Sequence, residues 1–112
     1  MKVVINTCYG GFGLSQEALL ELQKIATPDS AFIIMLDEDQ LLLYADKNKE
    51  AGYYSIRQDP QVVEVVEKLG NRANGRHAKL KVVEIPNDVA YEIAAYDGVE
   101  WVVEVKLTRT WS

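Results

Sequence analysis

Val89-Ala90-Tyr91-Glu92-Ile93-Ala94-Ala95-Tyr96-Asp97-Gly98-Val99-Glu100-Trp101-Val102-Val103-Glu104-Val105-Lys106-Leu107 decides the fold class. Two runs rich in β-branched and aromatic residues flank an Asp-Gly dipeptide, a strong short-range hairpin signal. Val89, Tyr91, Ile93 and Ala95 share one parity before the turn, and Val99, Trp101, Val103, Val105 and Leu107 share it after. Opposed residues of an antiparallel pair lie on the same face. A two-residue Asp97-Gly98 loop would set Trp101 against Ala94. A three-residue Tyr96-Asp97-Gly98 loop sets it against Ile93 and puts Gly98 at the left-handed position. Parity therefore favours the three-residue loop. It leaves Glu92, Glu100, Glu104 and Lys106 on a wet face. By the same parity, Pro86-Asn87-Asp88 joins a preceding strand to Val89. The expectation is a three-stranded antiparallel meander over about 79–85, 89–95 and 99–107.

Upstream, helices alternate with short strands. Residues 2–7 read as a strand. Ser15 suits a helix N-cap, with Ala18, Leu19, Leu22, Ile25 and Ala26 at helical spacing behind it. Thr27-Pro28-Asp29-Ser30 ends that helix, because the residue before a proline avoids helical geometry. Residues 32–36 and 41–44 flank an acidic tip, as in a hairpin, with a short buried helix as the alternative. Residues 46–52 read as a polar loop and 53–57 as a strand. Asp59-Pro60 supplies an N-cap and a first-turn proline for a second helix. Val62, Val66 and Leu69 form its apolar face, flanked by Val63 and Val65, and Gly70 serves as C-cap. The fold class is therefore α+β: a largely antiparallel sheet with two helices, about 15–26 and 60–69, packed on one face, in one domain spanning 1–112.

The chain has 112 residues, 17 acidic against 12 basic, for a net charge of −5. That balance speaks against nucleic-acid polymers, which need clustered Lys and Arg. The densest basic stretch is Arg72, Arg76, Lys79 and Lys81, a solvated loop and strand edge. No apolar run approaches the ~20 residues of a membrane span or resembles a signal peptide. One cysteine, Cys8, excludes an internal disulfide. A cytoplasmic setting without membrane contact is expected.

The chemistry centres on Thr7-Cys8-Tyr9-Gly10-Gly11-Phe12-Gly13-Leu14-Ser15. Glycines beside a helix start expose N–H groups to an anion, although the spacing is neither the dinucleotide fingerprint nor the P-loop. A ligand-free tight turn is the plain alternative. No acidic residue lies between Lys2 and Gln16. Catalysis by Cys8 would need a base, and His77 is the only histidine; Asp59 and Asp97 are better explained as cap and turn residues. With one Cys and one His, a structural zinc site cannot be assembled. Asp37, Glu38 and Asp39 lack the EF-hand spacing. No metal or cofactor is expected. Tyr9, Phe12, Tyr53, Tyr54, Trp101 and Trp111 could stack a base, with Arg57 or Arg109 beside them, although Trp101 is more simply core. Trp111, so near the terminus, docks on the body or crosses to another subunit.

The 3–15 block resembles the opening of a small uncharacterised family of phage and prophage proteins. The resemblance resumes at Arg57-Gln58-Asp59-Pro60, runs through residues 63–75 and 80–86, and ends in Tyr96-Asp97-Gly98, Glu100-Trp101-Val102 and Arg109-Thr110-Trp111. It covers roughly two thirds of the chain and departs from the family at 26–50 and 105–108. It implies a viral accessory protein of the host cytoplasm and does not specify an activity. By analogy with such proteins, the first expectation is a non-catalytic binder of a small anionic, nucleotide-like ligand that sequesters a host defence signal. Its ligand-binding residues would be Thr7, Cys8, Tyr9, Gly10, Gly11, Phe12, Gly13, Ser15, Arg57, Arg109 and Trp111. The alternatives are an inhibitor that binds a host protein and a small Cys8-dependent hydrolase or transferase. A homo-oligomer is compatible with any of them.

Overall fold

The computed structural model describes residues 1–30, 32–45, 55–105 and 109–112. The expected loop at 46–52, Tyr53, Tyr54 and Lys106 lie outside the described residues. The α+β class holds. In chain order the elements are β1 (Lys2–Asn6), α1 (Gln16–Ile25), β2 (Phe32–Asp37), β3 (Gln40–Ala45), α2 (Ser55–Gln58), α3 (Pro60–Leu69), β4 (Leu80–Glu84), β5 (Tyr91–Tyr96), β6 (Val99–Glu104) and β7 (Thr110–Trp111). A 3₁₀ turn at Gly70–Ala73 follows α3.

The strands form three antiparallel groups: β1 with β4, β2 with β3, and β5-β6-β7. The β1–β4 ribbon is the middle layer. On one side, Val4 joins Ala18, Leu19 and Leu22 of α1 and Val62, Val63, Val65, Val66 and Leu69 of α3 in the larger core. On the other, Val3, Ile5, Val83 and Ile85 pack with Val102 of β6. Two-sided burial explains the unbroken Val3-Val4-Ile5 run, where a half-wet strand would alternate.

Helix ends follow their sequence signals. The Ser15 hydroxyl accepts from the Ala18 N–H, and the Asp59 carboxylate accepts from the Gln61 N–H. Gln61 also donates to the Ile25 carbonyl at 2.7 Å, so the start of α3 caps the end of α1. Ile25 and Ala26 are exposed, and the buried stripe of α1 ends at Leu22.

Several expectations need correction. Residues 80–84 pair with β1, not β5, so Pro86-Asn87-Asp88 is not a hairpin loop; the third strand of the C-terminal sheet is β7, with Trp111 opposite Val102. The β1 run, buried on both faces, takes β4 as its partner. Second, Tyr96 pairs with Val99 and Ala94 with Trp101, so the turn is the two-residue Asp97-Gly98. Both residues have positive φ, 49° and 90°, the requirement of a type I′ turn. Turn chemistry therefore overrides parity, and Trp101 is only half-buried while Trp111 packs on the smaller core. Third, Glu100 leaves the expected wet face and is 7% exposed. Finally, Ser55–Gln58 is helical, where a strand over 53–57 is the sequence expectation. The β2–β3 hairpin forms as expected, but Asp37 pairs with Gln40, so the expected four-residue acidic tip is the two-residue turn Glu38-Asp39.

Candidate functional site

The glycine loop reaches its shape by backbone contact with two other turns. A Cβ on Gly98 would lie 2.6 Å from the Gly11 nitrogen and 2.7 Å from that of Gly10, so the Asp97-Gly98 turn meets the loop with no room for a side chain. Fully buried Asn6 fixes this junction. Its Nδ2 donates to the carbonyls of Cys8 and Gly98, both at 2.7 Å, and its Oδ1 accepts from the Lys79 N–H at 2.8 Å. Farther along, the Gly75 N–H donates to the Gly13 carbonyl and the Ser15 N–H to the Ala73 carbonyl, both at 2.9 Å. Among the described residues, the amides of Gly11, Phe12 and Gly13 have no acceptor.

These three residues line one side of an open cleft of about 670 Å³. Among the described residues, Leu14, Leu19, Ile56, Arg57, Glu100 and, from β3, Leu41, Leu42 and Leu43 also line it. Gln16 sits at the rim. Its side chain donates to the Leu41 carbonyl at 3.0 Å and accepts from the Leu41 N–H at 2.8 Å, holding β3 against the start of α1.

Arg57 and Glu100 form the polar part of the cleft. Arg57 Nη1 and Nη2 donate to Glu100 Oε1 and Oε2 at 2.5 and 2.9 Å. Both residues are at least nine-tenths buried. Glu100 Oε1 also accepts from the Asn6 N–H at 2.8 Å, and Arg57 Nη1 donates to the Val4 carbonyl at 3.4 Å. Bonds from Thr7 to Lys79 and from Ile85 to Met1 show that odd residues of β1 face β4. Val4 and Asn6 therefore present their peptide groups to the opposite edge. The ion pair occupies that edge where a neighbouring strand would otherwise bond. The guanidinium also lies 3.7 Å above the Phe12 ring centroid, holding the loop's aromatic residue against the pair.

Of the sequence-derived candidates, Gly11, Phe12, Gly13 and Arg57 come together on the cleft. The others lie outside its lining. Thr7 Oγ1 donates to the Lys79 carbonyl at 2.9 Å. Cys8 is half-buried with its thiol directed to the Tyr9 carbonyl, and Tyr9 is exposed. Gly10 packs against His77, and Ser15 donates to the Arg72 carbonyl as it caps α1. Arg109 and Trp111 are elsewhere. Arg109 binds Glu104 through Nε at 2.5 Å and Nη2 at 2.9 Å, and its guanidinium lies 5.5 Å from the Trp111 ring. Its hydrogen bond holds the Glu104 carboxyl below the ordinary carboxylate range, and the same bond raises Arg109. Trp111 is docked on its own chain as part of β7.

Sequence reasoning missed Glu100 and Gln16. The signal for Glu100 was Val102, an apolar residue two positions on, which marks that parity of the strand as facing inward. Gln16 carried no comparable signal, because a glutamine in a first helical turn is ordinary. Among the described residues, no three His, Cys, Asp or Glu side chains gather where they could hold a metal ion. No helix among them is long and apolar enough to cross a membrane. No family model, curated protein or solved structure matches this chain.

Proposed function

We propose that the chain binds a small anionic, nucleotide-like molecule in the cleft between the glycine loop and β3. The observation that carries this reading is the set of Gly11, Phe12 and Gly13 amides, which lack acceptors among the described residues and border the cleft ahead of α1. Successive free amides at a helix start suit a phosphate or carboxylate. The cleft volume falls within the usual range for small-molecule sites, and its leucine and phenylalanine walls suit the flat body of a base. Arg57 supports the site by holding Phe12 in place. The resemblance to phage accessory proteins suggests the consequence: the ligand is a host defence signal, withheld from its receptor in the host cytoplasm.

Calorimetry and thermal-shift measurements with a panel of cyclic and linear nucleotides test the reading. Binding that weakens at least about tenfold in Phe12→Ala supports it, since the variant loses a cleft wall and an aromatic contact. The absence of heat and of thermal shift with every nucleotide overturns it.

A second reading, inhibition of a host protein, is favoured by the β2–β3 hairpin. Ile33, Met35 and Tyr44 are exposed on its outward face beside the Asp37, Glu38 and Asp39 tip. Apolar patches bordered by charge often mark protein contacts. Sedimentation of the purified chain separates self-association from a foreign partner. A pull-down in which Met35→Lys retains every protein that the unaltered chain retains counts against a role for this face.

A further inference from the structure

Among the described residues lining the cleft, Arg57 is the only cation and Glu100 the only anion, and they are bonded to each other through both guanidinium nitrogens of the fork. The cleft therefore offers a ligand no uncompensated full positive charge from these residues. An incoming oxyanion could claim the Arg57 face only by displacing a buried carboxylate. That displacement would also release the Asn6 N–H, which Glu100 bonds at 2.8 Å on the open edge of β1. What the described lining residues leave for an anion is partial charge: the amides of Gly11 to Gly13 and the start of α1, together comparable to about half an elementary charge. Each negative charge beyond the first finds no net positive charge on the Arg57–Glu100 pair and works against the field of a chain whose net charge is −5.

We propose that the cleft selects a ligand with a flat apolar or heteroaromatic body and a single negative charge over polyphosphates built on the same body. The inference rests on the small-anion reading and specifies its ligand class. Phe12 and the leucines of β3 cover the body, and the glycine-loop amides receive the charged group. The neutral Arg57–Glu100 pair acts as the specificity element, because it keeps Phe12 in place without adding net positive charge.

A charge series at constant base tests this with the full chain. The probes are adenosine, 3′,5′-cyclic AMP, AMP and ATP, and the corresponding guanine and uracil compounds, titrated calorimetrically at low salt without divalent cations. For at least one base, the singly charged cyclic phosphodiester should bind at least about tenfold tighter than the nucleoside and than the triphosphate, with the monophosphate between. A triphosphate that binds as tightly as the cyclic compound overturns the single-charge inference and leaves the small-anion reading standing. A nucleoside that binds as tightly shows that charge is not read, and overturns both. No binding across all three series also overturns both. Glu100→Gln, if its circular dichroism spectrum is unchanged, supplies an independent readout: removing the negative charge should narrow the gap between triphosphate and cyclic compound. An unchanged gap in that folded variant removes the pair as the specificity element. If the variant does not fold, the charge series on the unaltered chain still decides.

Discussion

Two hairpins in this molecule turn through two residues with positive φ, and they dispose of their side chains in opposite ways. Between β2 and β3 the turn is Glu38-Asp39, at 45° and 68°; between β5 and β6 it is Asp97-Gly98, at 49° and 90°. The first hairpin leaves Ile33, Met35 and Tyr44 exposed on its outer face. The second buries a carboxylate, Glu100, next to Val102. Residue polarity alone assigns neither face. Strand edges account for the difference. On β1, the peptide groups of Val4 and Asn6 face away from β4 and are bonded by Arg57 and Glu100. On β3, Gln16 bonds both peptide groups of Leu41. Buried backbone groups without partners are costly, so a polar side chain is drawn inward wherever a strand edge lacks a neighbouring strand.

The largest expected effect tests this explanation at β6. Glu100→Ala takes the carboxylate partner from a buried guanidinium and the acceptor from the Asn6 N–H, and should cost about 3–5 kcal/mol in urea unfolding. The double variant Arg57→Met, Glu100→Leu removes the buried positive charge as well and should recover part of that loss. It should remain less stable than the unaltered chain, because the Val4 carbonyl and Asn6 N–H are left unbonded at about 1–3 kcal/mol each. Full recovery in the double variant would show that the edge groups find other partners and that closing the β1 edge is not the role of the pair.

The turns provide the next test, with opposite signs in the two hairpins. Gly98→Ala puts a Cβ within 3 Å of the Gly10 and Gly11 nitrogens and strains a φ of 90°. It should destabilise by more than about 1 kcal/mol and disturb the cleft wall, so any nucleotide binding should weaken with it. Glu38→Gly relieves a positive φ at an exposed tip and should stabilise by a fraction of a kcal/mol up to about 1 kcal/mol. Thermal unfolding of both variants decides the matter; equal effects would mean that the turns do not differ in strain or surroundings.

The same contrast explains what the chain reveals before folding. Ser15 and Asp59-Pro60 are local signals, and each forms as the residues predict because the interactions lie within a few positions. The pairing of β4 with β1 joins residues about 80 positions apart, and nothing local chooses it over β5. The burial of Glu100 is harder still to read, since it follows from an unpaired edge on a strand 94 positions away. The glycine loop is intermediate: its glycines are conspicuous, but the turn they pack against becomes visible only when Gly98 meets Gly10 and Gly11. Four of the twelve described lining residues were therefore legible, Gly11, Phe12, Gly13 and Arg57, while the leucines of β3 and the buried acid depend on contacts distant in sequence.

On the outer face of the first hairpin, Met35→Lys removes exposed apolar surface, and Met35 belongs to neither core cluster. Unfolding stability should stay within about 0.5 kcal/mol. Self-association or protein capture through this face should fall. A large loss of stability would show that the outward side chains are covered by the chain itself and would remove the face as a contact surface.

The smallest effect is expected at the end of β6, where Glu104 and Arg109 form an ion pair with Arg109 exposed. The hydrogen bond from Arg109 holds the Glu104 carboxyl below its ordinary value. A carboxyl lowered on folding stabilises the native state above its unfolded pKa of about 4.3, and loses that contribution as pH falls through the lower native value. Glu104→Gln should therefore have a slightly lower unfolding midpoint than the unaltered chain at neutral pH, with the difference closing at pH values below about 4. Exposed pairs contribute little and are screened, so added salt should narrow the neutral-pH difference. By contrast, Glu100 is buried and also bonds a backbone N–H, so salt should leave the loss in Glu100→Ala nearly unchanged. Measuring both variants across a salt series compares the two carboxylates of one strand directly. If both differences shrink alike, Glu100 behaves as a surface charge, and its assignment to the β1 edge fails.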